Sequence, residues 1–147
     1  RIVMDGSAER LMDSDDIKTL MLWPYTNVSS DGTGFGGHPR GYGAFTRSIR
    51  WLVREEDAIS LEEMIRKSTS LSAAHVGLDG RGILRPGAPA DLVLFDAEEI
   101  SDRADIMNPM APSVGVHGVW VNGVRVWANG AVTGQYPGHF LTRADEK

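Results

Sequence analysis

The residues of this chain best placed to do chemistry are Asp31, His38 and Arg40. Asp31 follows the short apolar and β-branched run Tyr25-Thr26-Asn27-Val28-Ser29 and opens a loop dense in glycine. A carboxylate held at such a strand end can take a proton from a nucleophile and return it to a leaving group. In Ser30-Asp31-Gly32 it can equally be an ordinary turn residue, since aspartate and glycine favour turns. Arg40 carries a planar guanidinium that grips a carboxylate through two parallel hydrogen bonds, or it is a solvated loop arginine. Pro39 stiffens the approach to it. His38 suits three roles: metal ligand, hydrogen-bond partner or plain loop residue.

Metal ligation from within the chain has little support. There is no cysteine, no His-x-His pair and no Glu-x-x-His. His38 has no second ligand at metal spacing. His75, His117 and His139 are scattered, so a self-contained zinc site is not expected. Gly34 to Gly37 lack the lysine of a phosphate-binding loop. Asp13, Asp15 and Asp16 lack the glycine and glutamate of a calcium loop and read as helix caps. Trp120 and Trp127 alternate with valines, the pattern of sheet packing.

Two kinds of element must position these groups. Up to about residue 77 the chain carries helix signals. Cap residues and early acids predict a helix over 15–22, ended by Pro24. A strand is then predicted over 25–29, and helix, tight connection and short buried strand together are α/β grammar. A glycine loop is expected over 31–43 and a second helix over 44–54. Ser60 caps a third helix over 61–70, with Leu61, Met64, Ile65 and Ser68 inward. Ser72 caps a short fourth helix that Gly77 closes. After about residue 81 the period changes. A buried strand is predicted over 91–95. Asn122-Gly123 between apolar runs predicts a hairpin of strands 116–121 and 124–127, and Asn129-Gly130 turns into one more strand.

The chain's 147 residues suffice for a domain with a real core, and 41% hydrophobic with 24% charged residues is ordinary for a globular protein. A net charge of −5 and scattered basic residues argue against a nucleic-acid partner. No apolar run spans a bilayer and no signal peptide opens the chain. With no cysteine, a cytoplasmic setting is expected. Arg1-Ile2-Val3 reads as the tail of a strand from something longer.

Gly82-Ile83 through Ala90-Asp91-Leu92-Val93 and the Val119–Gly123 hairpin resemble the composite β-domain of the amidohydrolase superfamily. Ser30-Asp31-Gly32, His38-Pro39-Arg40, Phe45-Thr46-Arg47, Arg66-Lys67 with Thr69, and Asp102-Arg103-Ala104 narrow the resemblance to the N-acyl-D-amino-acid deacylases, or D-aminoacylases. It covers nearly the whole chain. Thr46 and Ser72 depart from it, standing where proline is expected.

The resemblance implies an α/β fold: the last strand and helices of a metal-dependent (β/α)8 barrel plus part of a small composite β-sandwich domain. It places the barrel part at 1–80 and the β-domain strands and tail at 81–147. It makes Asp31 catalytic, as the proton shuttle, and at most a weak metal ligand. Arg40 becomes the clamp on the substrate α-carboxylate, with His38 beside it as a second substrate-binding residue. Zinc is the implied cofactor, with its ligands mostly upstream of Arg1.

A complete barrel needs roughly 250 residues, so the chain is expected to be a C-terminal piece, inactive alone. Its expected partners are an N-acyl amino acid substrate and the upstream part of the same enzyme or a complementary chain. Barrel-facing residues such as Val28 and Leu20 are then expected to be exposed. Two other readings stand beside this one. One is an amidohydrolase acting on cyclic amides, like dihydropyrimidinase or dihydroorotase. The other is a non-catalytic β-module with a helical arm.

Overall fold

A computed structural model describes residues 13–32 and 37–141. The strand tail expected at Arg1, Ile2 and Val3, and loop residues Gly34 and Gly36, lie outside the described residues.

Among the described residues, four helices precede a four-stranded sheet. Helix α1 is Ser14–Leu22, with Asp13 accepting a capping hydrogen bond from the Asp15 amide at 2.9 Å. Trp23 leaves the helix in extended conformation, as the residue before a proline must. Helix α2, Arg40–Ser48, continues without a break into a π-helical stretch, Ile49–Glu55. Helix α3 is Leu61–Ser68, capped by the Ser60 hydroxyl, which accepts from the Glu63 amide at 3.2 Å. Helix α4 is Ser70–Val76 and ends at Gly77, whose φ of 74° is the left-handed value that glycine adopts cheaply. Ser72 lies inside α4 rather than at its cap.

Strands β1 (Leu92–Phe95), β2 (Val116–Val121), β3 (Val124–Ala128) and β4 (Ala131–Val132) form an antiparallel sheet in chain order. Asn122 and Gly123, with φ of 48° and 80°, make the tight turn between β2 and β3.

Further expectations change. Residues 26–32 form no strand: among the described residues the ladder joins β1 to β4, and this segment pairs with none of them. Helix α2 begins four residues earlier than its composition suggests, and takes Gly41 and Gly43 into its first turns. The reason is tertiary: a Cβ built on Gly43 would lie 2.9 Å from the Asp102 Cβ, so only glycine lets the two segments meet. Strand β1 is exposed rather than buried, from Leu92 to Leu94. Among the described residues it is an edge strand, paired with β2 alone.

The core lies among the helices. Ile17, Met21, Val28, Ile49, Leu52, Ile59, Met64 and Ile100 form one cluster. Val28 is therefore buried rather than exposed, whereas Leu20 is exposed as expected. Ile100 belongs to the connection after β1, which the helices also grip by polar contacts. Arg54 donates to the carbonyls of Ala97 and Ile100, both at 2.9 Å. Arg47 and Arg50 both reach Asp102, at 2.7 and 2.9 Å, and the Asp102 side chain is 5% exposed.

Candidate functional site

Asp31 and Arg40, nine positions apart in sequence, meet in space. The Arg40 Nη2 lies 3.0 Å from the Asp31 Oδ2. Both side chains are partly buried, so the pair is less screened than a surface pair.

Local chemistry delivers each partner. The Ser29 hydroxyl accepts from the Asp31 amide at 3.3 Å, and the Ser30 hydroxyl accepts from the Gly32 amide at 3.2 Å. These two successive turns hold Asp31 at φ 47°, a left-handed conformation that aspartate tolerates better than most residues. Arg40 is the first residue of α2, not a loop residue. Pro39, already at helical dihedrals, precedes it, and the His38 Nδ1 accepts from the Arg40 amide at 3.2 Å. His38 thus supports the helix start on which Arg40 stands.

The Arg40 Nε is buried and has no hydrogen-bond partner among the described residues. Guanidinium donors seldom stay unpaired when buried. With Nη2 on Asp31, this edge of the fork is the one that can take a carboxylate side-on.

Asp102 is the anchor that sequence reasoning passed over as a motif residue. It holds the end of α2 through Arg47 and the start of the π-helical stretch through Arg50, about one turn apart. Burial alone would raise its pKa. The hydrogen bonds from Arg50 and Arg47, reinforced by their charges, outweigh that and hold the carboxyl below the ordinary aspartate value. The spacing of Arg47 and Arg50 on one helix face was the available signal.

Lys67 was also missed. It shares the inner face of α3 with Met64 and is 1% exposed. Its ammonium donates to the carbonyls of Trp23 at 2.6 Å and Thr26 at 3.0 Å. Burial pushes its pKa below the ordinary lysine value, with the Glu63 charge opposing.

The donor set at Asp31 does not fit a zinc ion by itself. Among the described residues, the one group of three His, Asp or Glu whose donor atoms converge, within 4.8 Å of one another, is Asp96, Glu99 and His117. Neither Asp31 nor His38 belongs to it. Asp96 there accepts from the Glu98 and Glu99 amides, a turn role that explains its orientation. His75 lies in α4, and the His139 Nδ1 lies 3.1 Å from the Asn122 amide nitrogen.

An open groove of about 740 Å³ runs between α2 and the sheet, lined by Tyr42, Phe45, Val119, Val126, Trp127 and Tyr136 among others. None of Asp31, His38 or Arg40 lines it, and its walls are apolar. A reactive site needs convergent polar groups as well, and this groove does not bring such groups together.

Among the described residues no helix is long and apolar enough to cross a membrane.

Known proteins resemble the chain along nearly all its length. The amidohydrolase family model matches residues 2–127. An N-acyl-D-aspartate deacylase of Alcaligenes xylosoxydans xylosoxydans is 43% identical over 147 residues, which is 99% of this chain and 30% of that protein. A crystal structure of D-aminoacylase superposes with a TM-score of 0.81 at 37% identity, covering 84% of this chain and 27% of that one. A Bordetella bronchiseptica N-acyl-D-glutamate deacylase was solved with zinc and a phosphonate mimic of the reaction's tetrahedral intermediate. It superposes with a TM-score of 0.77 at 40% identity, over 82% of this chain and 26% of that one. The chain thus spans less than a third of the length of the relatives it matches.

Proposed function

The chain belongs to the amidohydrolase family, with its α/β fold, and on that premise we propose that it forms the C-terminal part of a metal-dependent N-acyl-D-amino-acid deacylase. The reaction is hydrolysis of an N-acyl amide to a carboxylate and a free amino acid. In this reading residues 1–80 complete the catalytic barrel and residues 81–147 complete the small β-sandwich domain. Zinc, with which the Bordetella relative was solved, is held mostly by parts of the enzyme that this chain does not span, with Asp31 at most a weak ligand. When bound, it supplies a Lewis acid for the amide carbonyl and acidifies the attacking water. The cytoplasm is the setting we assign.

The observation that carries the reading is the meeting of Asp31 and Arg40. The reaction needs a proton carrier beside a grip on the substrate's free carboxylate, and these two groups have those chemistries. Asp31 takes a proton from the attacking water and passes it to the departing amine nitrogen. Without that second transfer the amine is a poor leaving group. Arg40 donates to the substrate carboxylate from its Nε and Nη2 edge, the buried Nε having no hydrogen-bond partner among the described residues. A substrate carboxylate arriving there competes with Asp31 for the same guanidinium. Substrate binding thereby loosens the Asp31–Arg40 ion pair. His38 keeps the first turn of α2, and with it Arg40, in register.

The test uses the whole enzyme of which this chain is part. Asp31→Asn should lower kcat on N-acetyl-D-amino acids by about 10² to 10⁴-fold, the usual range for losing a general acid–base, with little change in KM. Unchanged turnover in that variant refutes the assignment.

A further inference from the structure

We propose that Arg66 and Lys67, neighbours on α3, are positioning residues for Asp31: they hold the backbone that delivers the carboxylate and so set its reach. The inference rests on the reading of Asp31 given above.

The segment from Trp23 to Gly32 has no strand ladder to hold it among the described residues. Side chains hold it instead. Arg66 Nη2 donates to the Pro24 carbonyl at 2.8 Å. Lys67 Nζ donates to the Trp23 and Thr26 carbonyls. Thus three carbonyls within four residues each receive a charge-assisted hydrogen bond, the stronger kind. The next residue, Asn27, donates from Nδ2 to the Ser72 hydroxyl at 3.2 Å. That hydroxyl donates in turn to the Lys67 carbonyl at 2.8 Å. Val28 then enters the core, and the Ser29 and Ser30 hydroxyls fold the chain into the Asp31 turn. The attachment is continuous from α3 to the carboxylate.

The two cations are themselves immobilised. Glu63 takes Arg66 side-on, with Nε at 2.6 Å and Nη2 at 2.7 Å, and its carboxylate lies 3.7 Å from Lys67 Nζ. Packing α3 needs no such arrangement, because Met64 and Leu61 already supply an apolar face. A buried lysine is a costly way to fill space, and a methionine would fill it without desolvating a charge. What the lysine adds is direction: its ammonium fixes two carbonyls of a segment that otherwise slides along α3.

The experiment compares Lys67→Met and Arg66→Met with a core control, Ile100→Ala, in the whole enzyme. Active sites are counted by titration with an N-acyl phosphonate mimic of the tetrahedral intermediate, and kcat is expressed per titrated site. An error of about 1 Å in a catalytic group costs on the order of 10²-fold, so Lys67→Met should lose about that much in kcat per site. Arg66→Met should lose about tenfold, as it releases one carbonyl rather than two. KM should move less than about threefold in both, since Arg40 stands on a different helix. The core control should lose folded protein but keep its kcat per site. If both methionine variants keep wild-type kcat per site and lose only sites, the pair is merely structural and the proposal is overturned. Should Lys67→Met not fold, the more exposed Arg66 decides in the same way. An inactive wild-type enzyme sinks the functional reading itself, whereas an active one with indifferent variants sinks this inference alone.

Discussion

Asp102→Asn removes the single negative charge that Arg47 and Arg50 share, while keeping the size of the side chain and one carbonyl acceptor. The cost follows from burial. Taking one partner from a fully buried ion pair costs roughly 3 to 5 kcal/mol, and an exposed pair is worth about 1 kcal/mol or less. Asp102 is 5% exposed but its arginines are 25% and 28% exposed, and Arg50 keeps Glu55 at 2.7 Å. We expect about 2 kcal/mol, or about 4 to 8 °C in the melting temperature of a unit this size. The pH dependence sharpens the test. The folded carboxyl sits below its ordinary value, so the folded state holds fewer protons than the unfolded chain in the acid range. Its stabilisation is complete above about pH 4 and is lost as pH falls through the folded value. Thermal melts from pH 7 downward should therefore show wild type and variant far apart at neutral pH and converging in acid. Parallel curves, or no gap at pH 7, refute the account of Asp102 as a charge anchor.

Gly43→Ala should destabilise by about 1 to 3 kcal/mol, because its methyl group meets the Asp102 Cβ at 2.9 Å, too close for two carbons. Urea unfolding checks this, and a neutral result would mean that α2 and the Asp102 segment separate easily. In the whole enzyme, Arg40→Ala should raise KM for N-acetyl-D-aspartate by about 10-fold or more. The same change should affect turnover of a cyclic amide without a free carboxylate by less than about threefold. Equal losses on both substrates would remove the carboxylate-clamp role.

Local signals in the chain were strong where neighbouring residues settle the outcome. Asp13 and Ser60 cap helices because their own side chains reach amides two or three residues on. Gly77 ends α4, and Asn122-Gly123 turns the hairpin, because few other residues accept positive φ at low cost. By type and spacing Asp31 and Arg40 could equally be turn and loop residues, and it was the resemblance, carried by short motifs in order, that singled them out. These features are set within a few residues, so the amino-acid order alone determines them.

The rest depends on partners far away in sequence. Whether residues 26–32 form a strand turns on a neighbour that β1 to β4 do not provide. The close packing of Gly43 in the first turns of α2, on which Arg40 stands, is against Asp102 some sixty positions later. Lys67 looks like half of a surface Glu–Lys pair until α3 is laid against residues 23–26 and buries it. The 3.0 Å approach of Asp31 to Arg40 is likewise a product of assembly. Capping and turn energies are local, whereas burial and ion pairing require two segments to meet. Only the folded chain decides which segments those are.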